Sequence, residues 1–223
     1  MRYSLAGVGN APIVQRSARR AVGLAFSAAG TGLAKAYRMR ARPLNCRIAL
    51  TEFHIRSEEP SDIDAITDVT EKAFRHAPHT SHTEHYIVLA LRRAGALGVS
   101  LVAQQAGRVV GHVAFSPVAI SDGSPHWWGL GPVSVLPEAQ GTGIGSALVR
   151  QGLAALRGLG AQGCVVLGEP DYYGRFGFRS GQGLVLDGVP PEYFQSLSLG
   201  ARAASGRVSY HPAFDATQEG AAS

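Results

Sequence analysis

Sixteen consecutive residues restrict this chain more than any others: Val133-Ser134-Val135-Leu136-Pro137-Glu138-Ala139-Gln140-Gly141-Thr142-Gly143-Ile144-Gly145-Ser146-Ala147-Leu148. An apolar strand runs into a proline, then a glycine loop, then an amphipathic helix that continues through Leu153 and Leu156. Such a unit leaves backbone N–H groups unpaired at the helix N-terminus, where the helix dipole also favours negative charge. It is therefore suited to hold a pyrophosphate. A P-loop would need a lysine after its glycines, and none follows. A dinucleotide fingerprint would need Gly or Ala at its third position. Counted from Gly141 that position is Ser146, and the loop does not follow the first strand. What remains is Gln140-x-x-Gly143-x-Gly145; the competing reading is an ordinary strand–turn–helix whose glycines serve packing.

The pattern around this unit predicts a layered fold. Phe53–Arg56 reads as a short strand. Pro60-Ser61-Asp62 reads as a helix start with Ser61 or Asp62 as cap, followed by Ile63, Ile66, Val69, Thr70 and Phe74 at helical spacing. A second helix is expected over Thr83–Arg93. Strands are expected at Ser100–Gln105 and Arg108–Ile120, joined by a turn at Ala106-Gly107, and at Trp127–Leu136. Gly163–Leu167 is wholly apolar, which suits a sheet interior. Glu169–Phe176 reads as a turn or short helix, with later strands near Leu184–Leu186 and Arg207–Tyr210. This order gives an α/β (α+β) fold with one mixed central sheet flanked by helices.

Charge divides the chain. Residues 1–51 hold nine Lys and Arg and no acid, whereas residues 52–223 hold twelve against sixteen Asp and Glu, a balance of −4. The body is not a nucleic-acid binder by charge. No apolar run is long enough for an ordinary membrane span. Two cysteines without a CxxC exclude a disulfide framework and a zinc ribbon, so a reduced, cytoplasmic setting is expected. Residues 1–51 read as a disordered extension or a misassigned start, with a targeting segment as the alternative. The ordered domain is expected over 52–215 and a flexible tail over 216–223.

A second motif lies one helix and one strand beyond the glycine loop. Tyr173-Gly174-Arg175-Phe176-Gly177-Phe178 fits a Y-x-x-x-G-F pattern. Together with Gln140, Gly143 and Gly145 it resembles the GNAT superfamily of N-acetyltransferases over about residues 53–215. The likeness is nearest to a bacterial branch with a Tyr-Tyr-Gly-Arg-Phe-Gly-Phe segment and a late His211-Pro212-Ala213-Phe214. The resemblance implies a mostly antiparallel sheet whose fourth and fifth strands splay apart. It implies acetyl-CoA as cosubstrate and direct attack by a primary amine of unspecified identity in a ternary complex. On this reading Val133, Ser134 and Val135 offer backbone bonds to the pantetheine and thioester. Gln140, Gly141, Thr142, Gly143, Ile144, Gly145 and Ser146 hold the pyrophosphate.

An acetyl transfer also needs a neutral amine, donors for the oxyanion and a proton for the departing thiolate, whose ordinary pKa is about 8.5. Tyr173 matches the family's general acid, with Tyr172 as the alternative one residue away and a packing role as the other reading. Glu169, acting through water, and Glu84 are candidate bases; each also reads as a capping or surface carboxylate. Gly168-Glu169-Pro170-Asp171 departs from the commoner pattern, in which an Asn opens a longer helix before the Tyr. His76, His79, His82 and His85 recur every three residues. Pro78 breaks any helix through them and no Cys is near, so no metal is expected. Cys164 reads as a buried, inert thiol. Competing classes are a non-catalytic acyl-CoA-binding module, a nicotinamide oxidoreductase and a metal module. An exposed strand edge near the C-terminus is a candidate surface for a homodimer.

Overall fold

The computed structural model describes residues 52–77 and 80–217. Strand β1 (Phe53–Ser57) is followed by helices α1 (Ile63–Phe74) and α2 (Glu84–Arg93), then strands β2 (Val99–Gln105), β3 (Arg108–Ile120) and β4 (Trp127–Val135). Helix α3 (Ile144–Gly158) leads to β5 (Gly163–Leu167) and the one-turn α4 (Pro170–Tyr173). Strands β6 (Leu184–Val185), β7 (Phe194–Ser198) and β8 (Gly206–Ser209) complete the fold. The main sheet has the order β1-β2-β3-β4-β5-β7; β4–β5 is parallel and the other pairs along this path are antiparallel. β8 pairs with the far end of β3 and with β6.

Local chemistry explains several of these joints. Ala106 and Gly107 both take positive φ, +50° and +79°, the conformation of the two-residue turn that matches strand twist in a hairpin. Pro60–Asp62 forms a separate 3-10 turn ahead of α1. The turn is capped by Glu59, whose N–H donates to Asp62 Oδ2 at 2.8 Å, and Asp62 in turn stands at the N-cap of α1, one of the two positions the sequence suggests. Arg56 grips the same carboxylate through two hydrogen bonds of 2.6 and 2.9 Å, which fixes the corner between β1 and α1.

Two helical layers cover opposite faces of the sheet. Gly111 lies under Ile144 and Leu148 of α3, while Ser134, in the pair next to it, reaches Thr70 of α1. Neighbouring positions on a strand point to opposite faces, so α1 and α3 sandwich β3 and β4. Ile66, Val69 and Phe74 of α1 and Ile144, Leu148, Val149, Leu153 and Leu156 of α3 are buried. Full burial of each such side chain contributes about 1.5–3 kcal/mol.

The C-terminal segment returns to the body. Tyr210 packs on Gly129 of β4, and His211 Nδ1 accepts the Ala213 N–H at 3.1 Å. Ala213 and Ala216 are buried with Ile87 and Leu91 of α2. Trp127 and Trp128 do face opposite sides: Trp127 joins Val165 and Leu184, and Trp128 lies over Gly98. Residues 1–51, and the tail from 218 onward, fall outside the described residues. Among the described residues no helix is long and apolar enough to cross a membrane.

Candidate active site

The parallel pairing of β4 with β5 runs from Trp127–Gly163 to Leu130–Val166 and stops there. Gly131 and Pro132 come next, and Pro132 has no N–H to give a ladder. β4 continues along β3 while β5 pairs with β7 on its other side, so a wedge opens between β4 and β5. Register settles which backbone groups face it. The Leu136 N–H donates to Val110 O at 2.9 Å. By antiparallel alternation Ser134 also turns its N–H and C=O to β3, and Val133 and Val135 turn theirs to the wedge. The Ser134 hydroxyl donates to Thr70 Oγ1 at 3.2 Å on the α1 face.

The glycine loop closes the outer end. Gly141 and Gly143 adopt φ of +75° and +95°, and a Cβ on either would meet nothing within 4 Å. These positions need glycine for conformation, not for space. Gly143 is the N-cap of α3 and offers no side-chain acceptor to the N–H groups of Ile144, Gly145 and Ser146. Gln140 Nε2 donates to Val135 O at 3.1 Å, and Thr142 Oγ1 to Ala139 O at 2.7 Å. Those two side chains brace the loop, and its anion-binding capacity is main-chain.

The segment after β5 is aromatic. The Glu169 carbonyl accepts the N–H groups of Tyr172 and Tyr173 at 3.1 and 3.0 Å and starts α4, while its carboxylate side is exposed. The Tyr173 ring is fully buried, edge-on to Tyr172 and Phe178 with centroids 4.9 and 6.0 Å apart. Its hydroxyl has no hydrogen-bond partner within the protein. Burial, reinforced by the neighbouring phenols, holds its pKa well above the ordinary tyrosine value. The Tyr172 hydroxyl is likewise buried. Burial raises its pKa too, opposed by Ser146 and Arg175. Ser146 stands beside this phenol as a neighbour and not as a hydrogen-bonded partner.

A Cβ at Gly168 would collide with the Tyr173 ring. Gly168→Ala is therefore expected to cost about 1–3 kcal/mol through overpacking and to displace the phenol. Urea denaturation together with near-ultraviolet circular dichroism checks this; an unchanged midpoint and aromatic spectrum would refute it.

Other sequence candidates are placed elsewhere. Glu84 is buried in the first turn of α2 and accepts from the Thr80 hydroxyl at 2.6 Å. His82 Nδ1 sits 2.8 Å from Phe74 O, and His85 packs on Tyr86. His79 lies outside the described residues, and among the described residues no three His, Cys, Asp or Glu side chains converge as a metal site. Cys164 is fully buried and its thiol pKa is pushed far up by desolvation.

Sequence reasoning passed over a polar strip beneath α1 and α2. Glu58 accepts from Arg92 at 2.9 and 3.0 Å and from the Ser100 hydroxyl. Ser100 Oγ is also 2.8 Å from His112 Nε2. A serine has one proton, and the carboxylate takes it. His112 must then donate through Nε2, which leaves Nδ1 as a buried lone pair without a partner. The visible signal is a histidine inside the apolar run Val109-Val110-Gly111-His112-Val113-Ala114-Phe115. In register it stands beside Ser134 on the strand that borders the wedge.

The family model for the acetyltransferase (GNAT) family matches residues 63–178. A solved GNAT-family acetyltransferase from Brucella melitensis, in complex with acetyl-CoA, is 51% identical. It covers 74% of this chain and 99% of its own, with a TM-score of 0.66. The Escherichia coli structure of the GNAT-family N-acetyltransferase YhbS in complex with CoA is 33% identical over 74% of this chain and 93% of its own, with a TM-score of 0.68. In sequence, YhbS of Escherichia coli K12 is 38% identical over 126 residues, 56% of this chain and 72% of that protein.

Proposed function

The chain belongs to the GNAT acetyltransferase family, and from that premise we propose that it moves an acetyl group from acetyl-CoA to a primary amine by direct attack. One observation carries the reading: the β4–β5 pairing stops at Leu130–Val166, and the strand that leaves it leads into a glycine loop and an α3 N-terminus with uncapped main-chain donors. A strand edge released from its neighbour and a main-chain anion site beyond it fit a long thioester cosubstrate with a pyrophosphate at its head.

The bound cosubstrate would supply an activated acetyl group. Val133 and Val135 would grip its pantetheine arm as neighbouring strands grip each other, with Ser134 fixing the strand from behind. Gly141 to Ser146 would hold the pyrophosphate by backbone N–H groups, in the loop braced by Gln140 and Thr142. Tyr173 would donate to the departing sulfur. Its raised pKa keeps the phenol protonated across the physiological range. Because it binds its proton more tightly than a thiol of pKa about 8.5, it stabilises the thiolate by a hydrogen bond more than by full transfer. Glu169, exposed at the end of β5, would take the amine proton through water.

Titration calorimetry of the full chain with acetyl-CoA and CoA, with NADH as control, tests the reading. Binding of both CoA species without NADH is expected. Folded protein that ignores CoA would return the glycine loop to a packing role.

A further inference from the structure

Arg150 and Arg175 form a cationic pair that the proposed transfer does not use. The Arg175 guanidinium lies 3.9 Å from the Tyr172 ring centroid and 5.2 Å from that of Phe176, and its Nε donates to Tyr172 O at 3.0 Å. Arg150 of α3 lies 5.2 Å from the same Phe176 centroid. Both arginines are exposed, and among the described residues neither pairs with a carboxylate. Two like charges are thus held around one ring with no acid to relieve them, in a body whose own balance is −4.

The pair adjoins the glycine loop. Arg150 follows Ser146 by four residues, so the two share one face of α3, about 6 Å apart along the axis. Tyr172, under Arg175, neighbours the same Ser146. Stacking on the rings fixes the guanidinium forks before any ligand arrives, which reduces the entropy lost on binding. Planar forks of this kind suit a phosphate monoester, which carries two charges and three acceptor oxygens.

We propose that Arg150 and Arg175 bind the 3′-phosphate of the CoA nucleotide and make the site selective for CoA over 3′-dephospho-CoA. This inference rests on the acetyl-CoA reading. With the pyrophosphate on the loop, the ribose phosphate is the remaining anion of the ligand, and the cations flank the loop.

Calorimetric affinities of the full chain for CoA and 3′-dephospho-CoA test it. The wild type is expected to prefer CoA by about 30-fold, as two charge-assisted contacts would give. Arg150→Met and Arg175→Met should each cut that preference to a few-fold while leaving the dephospho-CoA affinity unchanged, and the double variant should abolish it. Arg175→Lys, which keeps the charge but not the fork, should restore only part of the preference. A wild type that binds both ligands equally, or Met variants that weaken both ligands alike, would overturn the inference and leave the acetyl-CoA reading standing. A wild type that binds neither ligand would overturn both.

Discussion

Tyr173→Phe is expected to lower kcat about 100-fold while acetyl-CoA affinity changes little, the size of effect usual for loss of a positioned proton donor. The ring packs on Tyr172, Phe178 and Gly168, and phenylalanine keeps those contacts. Only the hydroxyl goes, and it has no partner inside the protein. A buried hydroxyl without a partner costs free energy. The variant without ligand should therefore be more stable than the wild type by about 1 kcal/mol. Slower turnover with a raised melting temperature is the signature to seek. A structural tyrosine would give the reverse, unchanged turnover with lower stability. Tyr172→Phe serves as the register control. A larger loss of kcat there than at position 173 would move the acid role one residue upstream.

The parts of this site that were readable beforehand share a physical reason. Glycine at Gly141 and Gly143 marks a backbone conformation that other residues resist, and the tyrosine motif sits a fixed helix and strand away, so both leave a local trace. The wedge left one too, in Gly131-Pro132 at the centre of a predicted strand, where a missing N–H should have suggested lost pairing. β7 gave no such trace. Phe194-Gln195-Ser196-Leu197-Ser198 has neither strong alternation nor a hydrophobic run. It pairs because β5 needs a neighbour on its open side, and the Gln195 amide donates to Gly168 O at 3.0 Å. Its outer edge is partly covered, since Arg179 and Ser196 exchange two backbone bonds of 2.8 and 2.9 Å. The strip of Glu58, Arg92, Ser100 and His112 was invisible for another reason. Its members are 34 and 42 residues apart in two of the contacts, and only the sheet register brings them together.

That strip predicts how the fold responds to acid. Burial lowers the His112 pKa to about 4 against an ordinary 6.5; Glu58 and Asp62 pull it up, and Arg92 pushes it further down. The folded pKa lies below the unfolded one, so above pH 6.5 both states are neutral here and the group contributes nothing. As pH falls from 6.5 to about 4, the unfolded chain gains a proton that the folded chain refuses, and stability declines by about 3 kcal/mol. Desolvation alone would raise the Glu58 carboxyl, but hydrogen bonds from Arg92 and Ser100, with the charges of Arg92 and His112, hold it below its ordinary value. Its contribution is present above pH 4.5 and lost below, so it extends the decline into stronger acid. Urea unfolding free energies at pH 7.5, 6, 5 and 4.5 measure the first part. His112→Gln keeps an amide donor for Ser100 and removes the titration, so its curve should be flatter across this window. Parallel curves for wild type and variant would sink the assignment. Glu58→Gln should cost about 1–3 kcal/mol at pH 7.5, because the partly buried Arg92 charge then loses its counter-ion.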